Sequence, residues 1–195
     1  MEKIHIHNDS DARNIQLQLW EGSNEDEHNL KIDNLEYGFI LLHGEAIVET
    51  KNNTYHLGYR SNPIDDKGDI LLLSNSQNIR ILSQHPNTRL MIIRVPAKNT
   101  YPDQFIASKD IRESVRGKDN WERKVRLGLW SDNSEGESLL IGETVVPPGN
   151  WSAMPAHRHD AYKEDNNGIS QVPYQELYFF QFPVPTGYSL CKIFN

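Results

Sequence analysis

The sequence predicts an all-β protein. Apolar runs mostly four to eight residues long recur along all 195 residues, and Ile, Leu, Val, Tyr and Phe dominate them. Gly, Asn, Asp and Pro stand between these runs, which suggests a sandwich or barrel. Helical periodicity is confined to one short segment.

The first group of strand candidates covers residues 15–20, 37–42, 46–50, 70–73 and 90–95. A tight hairpin is expected where Glu45–Thr50 and Thr54–Leu57 flank Lys51, Asn52 and Asn53. Residues 96–119 are polar and poor in β formers. Within them, residues 108–116 begin with capping residues and stop at Gly117, which predicts a helix. A second group follows at 125–130, 139–146, 177–182 and 188–194, and residues 161–174 form a long polar loop of the lid or disordered kind. The expected organisation is a β domain over 1–100, a connector over 101–120 and a second β unit over 121–195.

Composition narrows the function classes. A net charge of −7 and a pI near 5.6 give no basic face for nucleic acid. No run approaches the roughly 18 apolar residues of a membrane span, and the first residues lack the apolar core of a signal peptide. The expectation is a soluble cytoplasmic protein. Cys191 has no second cysteine to pair with and lies in an apolar run, so it is expected as a buried, unreactive thiol.

The chemistry concentrates in residues 147–180. His157 and His159 are spaced so that a strand would point both to one face, and Glu176 opens an aromatic segment that a hairpin could bring beside them. Two imidazoles and a carboxylate suit a metal with open coordination positions, although a buried polar network would use the same residues. Tyr178, Phe180 and Phe182 share the face of Glu176 and would wall the site, while Arg158 faces away as a structural ion-pair partner. The pair His5 and His7 reads as chance at a fraying terminus, and His28, His43, His56 and His85 as isolated surface or core residues.

These motifs resemble a known family. Leu139-Leu140-Ile141-Gly142-Glu143-Thr144, then Pro147-Pro148-Gly149-Asn150-Trp151-Ser152, then His157-Arg158-His159-Asp160 and Glu176-Leu177-Tyr178-Phe179 resemble the 5-deoxy-glucuronate isomerase family of inositol breakdown. The related 5-keto-4-deoxyuronate isomerases share the Met-Pro-x-His-x-His core seen at residues 154–159 and the Glu-x-Tyr-Phe segment. Residues 116–126 are similar to that family's linker between barrels, and residues 41–48 to a strand pair of its first barrel.

The resemblance implies a bicupin, two jelly-roll barrels with a metal only in the second, held by His157, His159 and Glu176. The ion would be divalent, zinc first with manganese or iron as alternatives, and would act as a Lewis acid on a sugar carbonyl. The implied reaction is aldose–ketose isomerisation of 5-deoxy-glucuronate to 2-deoxy-5-keto-gluconate in myo-inositol catabolism. The implied partners are a small sugar acid and further copies of the chain. Glu143 and Asp160 are the nearest candidate bases, and Arg158 or the turn at residues 150–152 would meet the substrate carboxylate. The chain departs from the family in stopping where further strands and a last ligand histidine are expected, so the second barrel reads as incomplete. Two alternatives follow: an inactive or sugar-acid-binding relative, and a non-haem Fe(II) oxygenase using the same three ligands.

Overall fold

The computed structural model describes residues 3–7, 15–32, 34–74, 77–153, 157, 159, 163–164, 170–171 and 173–192. Nine strands, β1 (Lys3–His7), β2 (Gln16–Gly22), β3 (Glu27–Ile32), β4 (Leu35–Glu49), β5 (Thr54–Arg60), β6 (Ile70–Leu73), β7 (Gln77–Ser83), β8 (Thr88–Pro96) and β9 (Gln104–Ile106), form one antiparallel network. Three more, β10 (Arg112–Arg116), β11 (Arg123–Leu129) and β12 (Ile141–Val145), form a second sheet. A two-residue ladder joins β13 (Lys163–Glu164) to β14 (Ser170–Gln171).

The two runs 37–42 and 46–50 lie in a single strand. β4 is 15 residues long, and its first part pairs with β8 and β6 while its second pairs with β5 and β7. Register shifts between Leu41 and His43 and between Gly44 and Ala46 let one strand serve both halves of the network. The hairpin expected at 51–53 is present, with Glu49 opposite Thr54.

The half built from β2, β8, β4 and β6 is buried on both faces. One face sends Trp20, Tyr37, Phe39, Leu41, Leu71 and Ile92 inward against Val48, Leu57, Ile79 and Ile81 of the other half, which is the barrel core. The opposite face sends Leu19, Ile40, Leu72 and Met91 against Leu129, Leu139 and Ile141 of the second unit. Strands covered on both sides need apolar residues at every position, which is why Ile70–Leu73 and residues 90–93 read as unbroken apolar runs. The two units meet closely at Gly38, where an added Cβ would lie 2.4 Å from Ile141 Cδ1 and 2.6 Å from Leu139 Cδ2.

Polar groups also hold this junction. Glu36, fully buried, accepts the Ser138 N–H at 3.0 Å, and Gly136 leaves room for its other oxygen. Arg60 and Arg126 are 1% and 2% exposed. Arg60 donates to the carbonyls of Leu41 (2.6 Å) and Asp66 (2.7 Å) and to both oxygens of Glu143 (2.8 and 2.9 Å). Arg126 donates to the carbonyls of Pro63 and Asp66, both at 2.7 Å, and to Glu113 at 2.7 Å. Their fixed fork of donors collects carbonyls that the 61–68 loop would otherwise bury unpaired.

Three expectations need correction. Residues 108–116 are not a helix: a single 3₁₀ turn at Ser108–Asp110 leads into β10, whose partner β11 supplies a full ladder from Arg112 opposite Leu127 to Arg116 opposite Arg123. Available strand pairing outweighs a capping signal on so short a segment. Residues 177–182 and 188–192 belong to no ladder among the described residues. Cys191 is accordingly exposed, outside every ladder among the described residues.

Candidate metal centre

The elements around His157 and His159 are joined by backbone before any side chain meets. Beyond the β13–β14 ladder, the Tyr174 N–H donates to the His159 carbonyl at 3.0 Å. Together, the ladder and this bond lay residues 173–176 beside the histidines. From Leu177 to Phe182 partial burial alternates with exposure: Leu177 and Phe179 pack on the junction core, and Tyr178, Phe180 and Phe182 face outward with Glu176. The period-two pattern read from the sequence holds even without a ladder.

The imidazoles of His157 and His159 sit edge to face with ring centroids 5.1 Å apart. His159 Nε2 lies 3.5 Å from Glu176 Oε1, and Tyr174 packs against the His159 ring at 5.5 Å. The other Glu176 oxygen accepts the Tyr178 hydroxyl at 2.7 Å. That bond, with burial as the larger cause, raises the Tyr178 phenol well above its ordinary value. His159 Nδ1 is buried without a hydrogen-bond partner. An imidazole nitrogen in that condition suits coordination to an ion.

The donor set therefore fits a divalent cation in its chemistry and in two pairwise contacts. The three side chains do not converge on one point: among the described residues no group of three or more His, Cys, Asp or Glu is disposed to hold a metal. Glu176, at 43% exposure, must turn further inward to complete such a set.

Several supporting roles expected from sequence change. Glu143 is bound by Arg60 and lies 3.9 Å from Arg126, so it serves the junction rather than standing free as a base. In the turn at 150–152, the Asn150 amide donates to the Glu122 carbonyl at 2.9 Å and the Trp151 N–H to the Asn120 carbonyl at 2.8 Å. Those donors are already spent. Arg158 and Asp160 lie outside the described residues. Sequence reasoning passed over Tyr178 as a partner of Glu176, although its spacing of two on one strand face was the available signal. It also separated His43 from His85, which the fold brings together with ring centroids 5.3 Å apart.

The pattern of the KduI/IolB family matches residues 2–195. The chain belongs to that family. Among its relatives, a 5-deoxy-glucuronate isomerase from Geobacillus thermodenitrificans is 24% identical over 157 residues, covering 80% of this chain and 56% of that protein. One from Halalkalibacterium halodurans is 30% identical over 131 residues, covering 66% of this chain and 48% of the relative. The chain thus spans about half the length of these KduI/IolB relatives. The crystal structure of an IolB-like protein from Salmonella typhimurium superposes with a TM-score of 0.75 at 22% identity, over 82% of this chain and 62% of that one. The KduI/IolB fold is shared with it, and the all-β expectation stands. No helix among the described residues is long and apolar enough to cross a membrane.

Proposed function

We propose that this KduI/IolB chain carries the metal-holding part of a sugar-acid isomerase that converts 5-deoxy-glucuronate to 2-deoxy-5-keto-gluconate in myo-inositol catabolism. The observation that carries the reading is the meeting of His159 with both His157 and Glu176, with one imidazole nitrogen buried and unpaired. The family membership and the isomerase relatives support it. His157, His159 and Glu176 would hold a divalent cation, zinc first, which when bound supplies Lewis acidity at a substrate carbonyl. The residues around them prepare that role. Tyr174 packs on the His159 ring and limits its rotation, and Tyr178 fixes one carboxylate oxygen so that the other faces His159. The exposed rings of Tyr178 and Phe180, stacked at 6.3 Å, offer an apolar wall from which water is excluded once a substrate lies against it.

The test is metal content by mass spectrometry on purified protein beside His157→Ala, followed by an isomerase assay with 5-deoxy-glucuronate. About one ion per chain, lost in the variant and accompanied by turnover, supports the proposal. Binding without turnover favours a sugar-acid-binding relative. A metal-free parent protein sinks the metal site.

A further inference from the structure

His43 and His85 form a second imidazole pair, built from elements the candidate metal centre does not use. His43 stands between the two irregularities of β4, and Gly44 beside it has φ +80°. Bulges of this kind re-aim side chains at a barrel rim. His85 lies in the turn between β7 and β8. That turn is fixed from beneath by Ser83 Oγ, which donates to the His85 carbonyl at 2.8 Å, and by Thr88 Oγ1, which donates to the Glu45 carbonyl at 2.8 Å. An added Cβ on Gly44 would fall 3.1 Å from His85 Nδ1, so the close approach of strand and turn needs glycine there.

The backbone sets both tautomers. His43 Nδ1 lies 2.6 Å from the Ser61 carbonyl, which can only accept, so in the neutral ring the proton is on Nδ1 and Nε2 is an acceptor. His85 Nδ1 accepts the Asn87 N–H at 3.2 Å, so in the neutral ring the proton is on Nε2, a donor. Among the described residues neither ε nitrogen has a hydrogen-bond partner, and both side chains are partly exposed. Tyr59, 62% exposed, tilts over His85 at 5.5 Å. The neighbouring cation in the row, Arg89, is already engaged by Glu21 at 3.1 Å and Gln181 at 3.3 Å.

We propose that His43 and His85 form a hydroxyl-binding subsite for a neutral sugar or other polyol on the rim of the first barrel. One hydroxyl can donate to His43 Nε2 and accept from His85 Nε2–H, and the Tyr59 ring gives a flat face for the C–H side of a sugar. A transition metal is the competing ligand of two histidines. It would have to displace the proton from His85 Nε2 while Nδ1 remains an acceptor, leaving an imidazolate or breaking the Asn87 bond.

Long-range nitrogen–proton NMR of the histidine rings tests this on the full chain, with His43→Gln and His85→Gln assigning the signals. The expected tautomers are Nδ1–H for His43 and Nε2–H for His85. Titration with glucose should shift both rings in the parent protein and equally in His157→Ala, which separates this site from the candidate metal centre. His85→Ala should weaken glucose binding about tenfold, the loss of one good hydrogen bond, while His85→Gln keeps an N–H donor and recovers most of it. The proposal is overturned if His85 carries its proton on Nδ1. It is equally overturned if zinc shifts both rings and glucose neither, or if acetate shifts them as strongly as glucose does.

Discussion

Tyr178 shows how a single residue changes meaning once its contacts are known. Its alternation with Leu177 and Phe179 reads as an apolar wall beside Glu176, yet the residue is 62% exposed and its hydroxyl holds Glu176 at 2.7 Å. Removing that hydroxyl should cost little stability and much positioning. Tyr178→Phe is expected to unfold at the same temperature as the parent and to bind zinc roughly tenfold more weakly, the effect of losing a partner that orients a ligand carboxylate. Isothermal titration with zinc beside a thermal melt measures both. An unchanged zinc affinity would show that Glu176 needs no such support. Glu143 is the converse case. A carboxylate on a strand near the motif looked like a base, and only the approach of Arg60, 83 residues away in sequence, reveals its service to the junction.

At the level of elements, β4 explains most of what periodicity predicted and where it misled. Its alternation is clean after Gly44 and lost before it, because one face of residues 46–49 is open to solvent while residues 36–42 are covered on both sides. Two separate runs were therefore read where one bent strand exists. Gly38 in that strand marks a close approach rather than flexibility. Gly38→Val would force the new methyls into Ile141 and Leu139 and is expected to destabilise the protein by about 3 kcal/mol or more. Urea denaturation monitored by tryptophan fluorescence checks this, and a cost under about 1 kcal/mol would mean that the junction yields readily. Strand β10 teaches the complementary lesson: its capping residues predicted a helix, but hydrogen bonding to β11 decided the outcome.

Over the whole molecule, the two units are joined through one sheet whose outer face is the floor of the second. Burial raises the carboxyl of Glu36 at this junction above its ordinary value, opposed by backbone N–H groups of residues 137–139, while Glu137 adds repulsion. A raised folded-state value means that the neutral form fits the fold better. The contribution of Glu36 is thus fully present below the unfolded value near 4.5 and is lost as pH rises through the folded one. Glu36→Gln, which keeps a carbonyl acceptor without the charge, should gain on the parent as pH rises from 4 to 8. Paired urea melts across that range measure the gap, and a gap independent of pH would show that Glu36 is not the titrating group.

The sequence by itself determined the all-β class, the main strands of the first sheet, the hairpin at 51–53 and the shared face of Glu176, Tyr178, Phe180 and Phe182. All of these follow from side-chain alternation and turn chemistry, which are local. It also singled out His157, His159 and Glu176 as candidate ligands. Tertiary structure decided that His159 meets Glu176 beside the Tyr174 backbone bond, that Glu143 belongs to Arg60, and that His43 faces His85. Those contacts join residues 15 to 83 positions apart, and no local period carries information about which distant strand will lie alongside. The sheet register supplies it, because pairing β4 with β8 and with β6 fixes which side chains stand opposite one another.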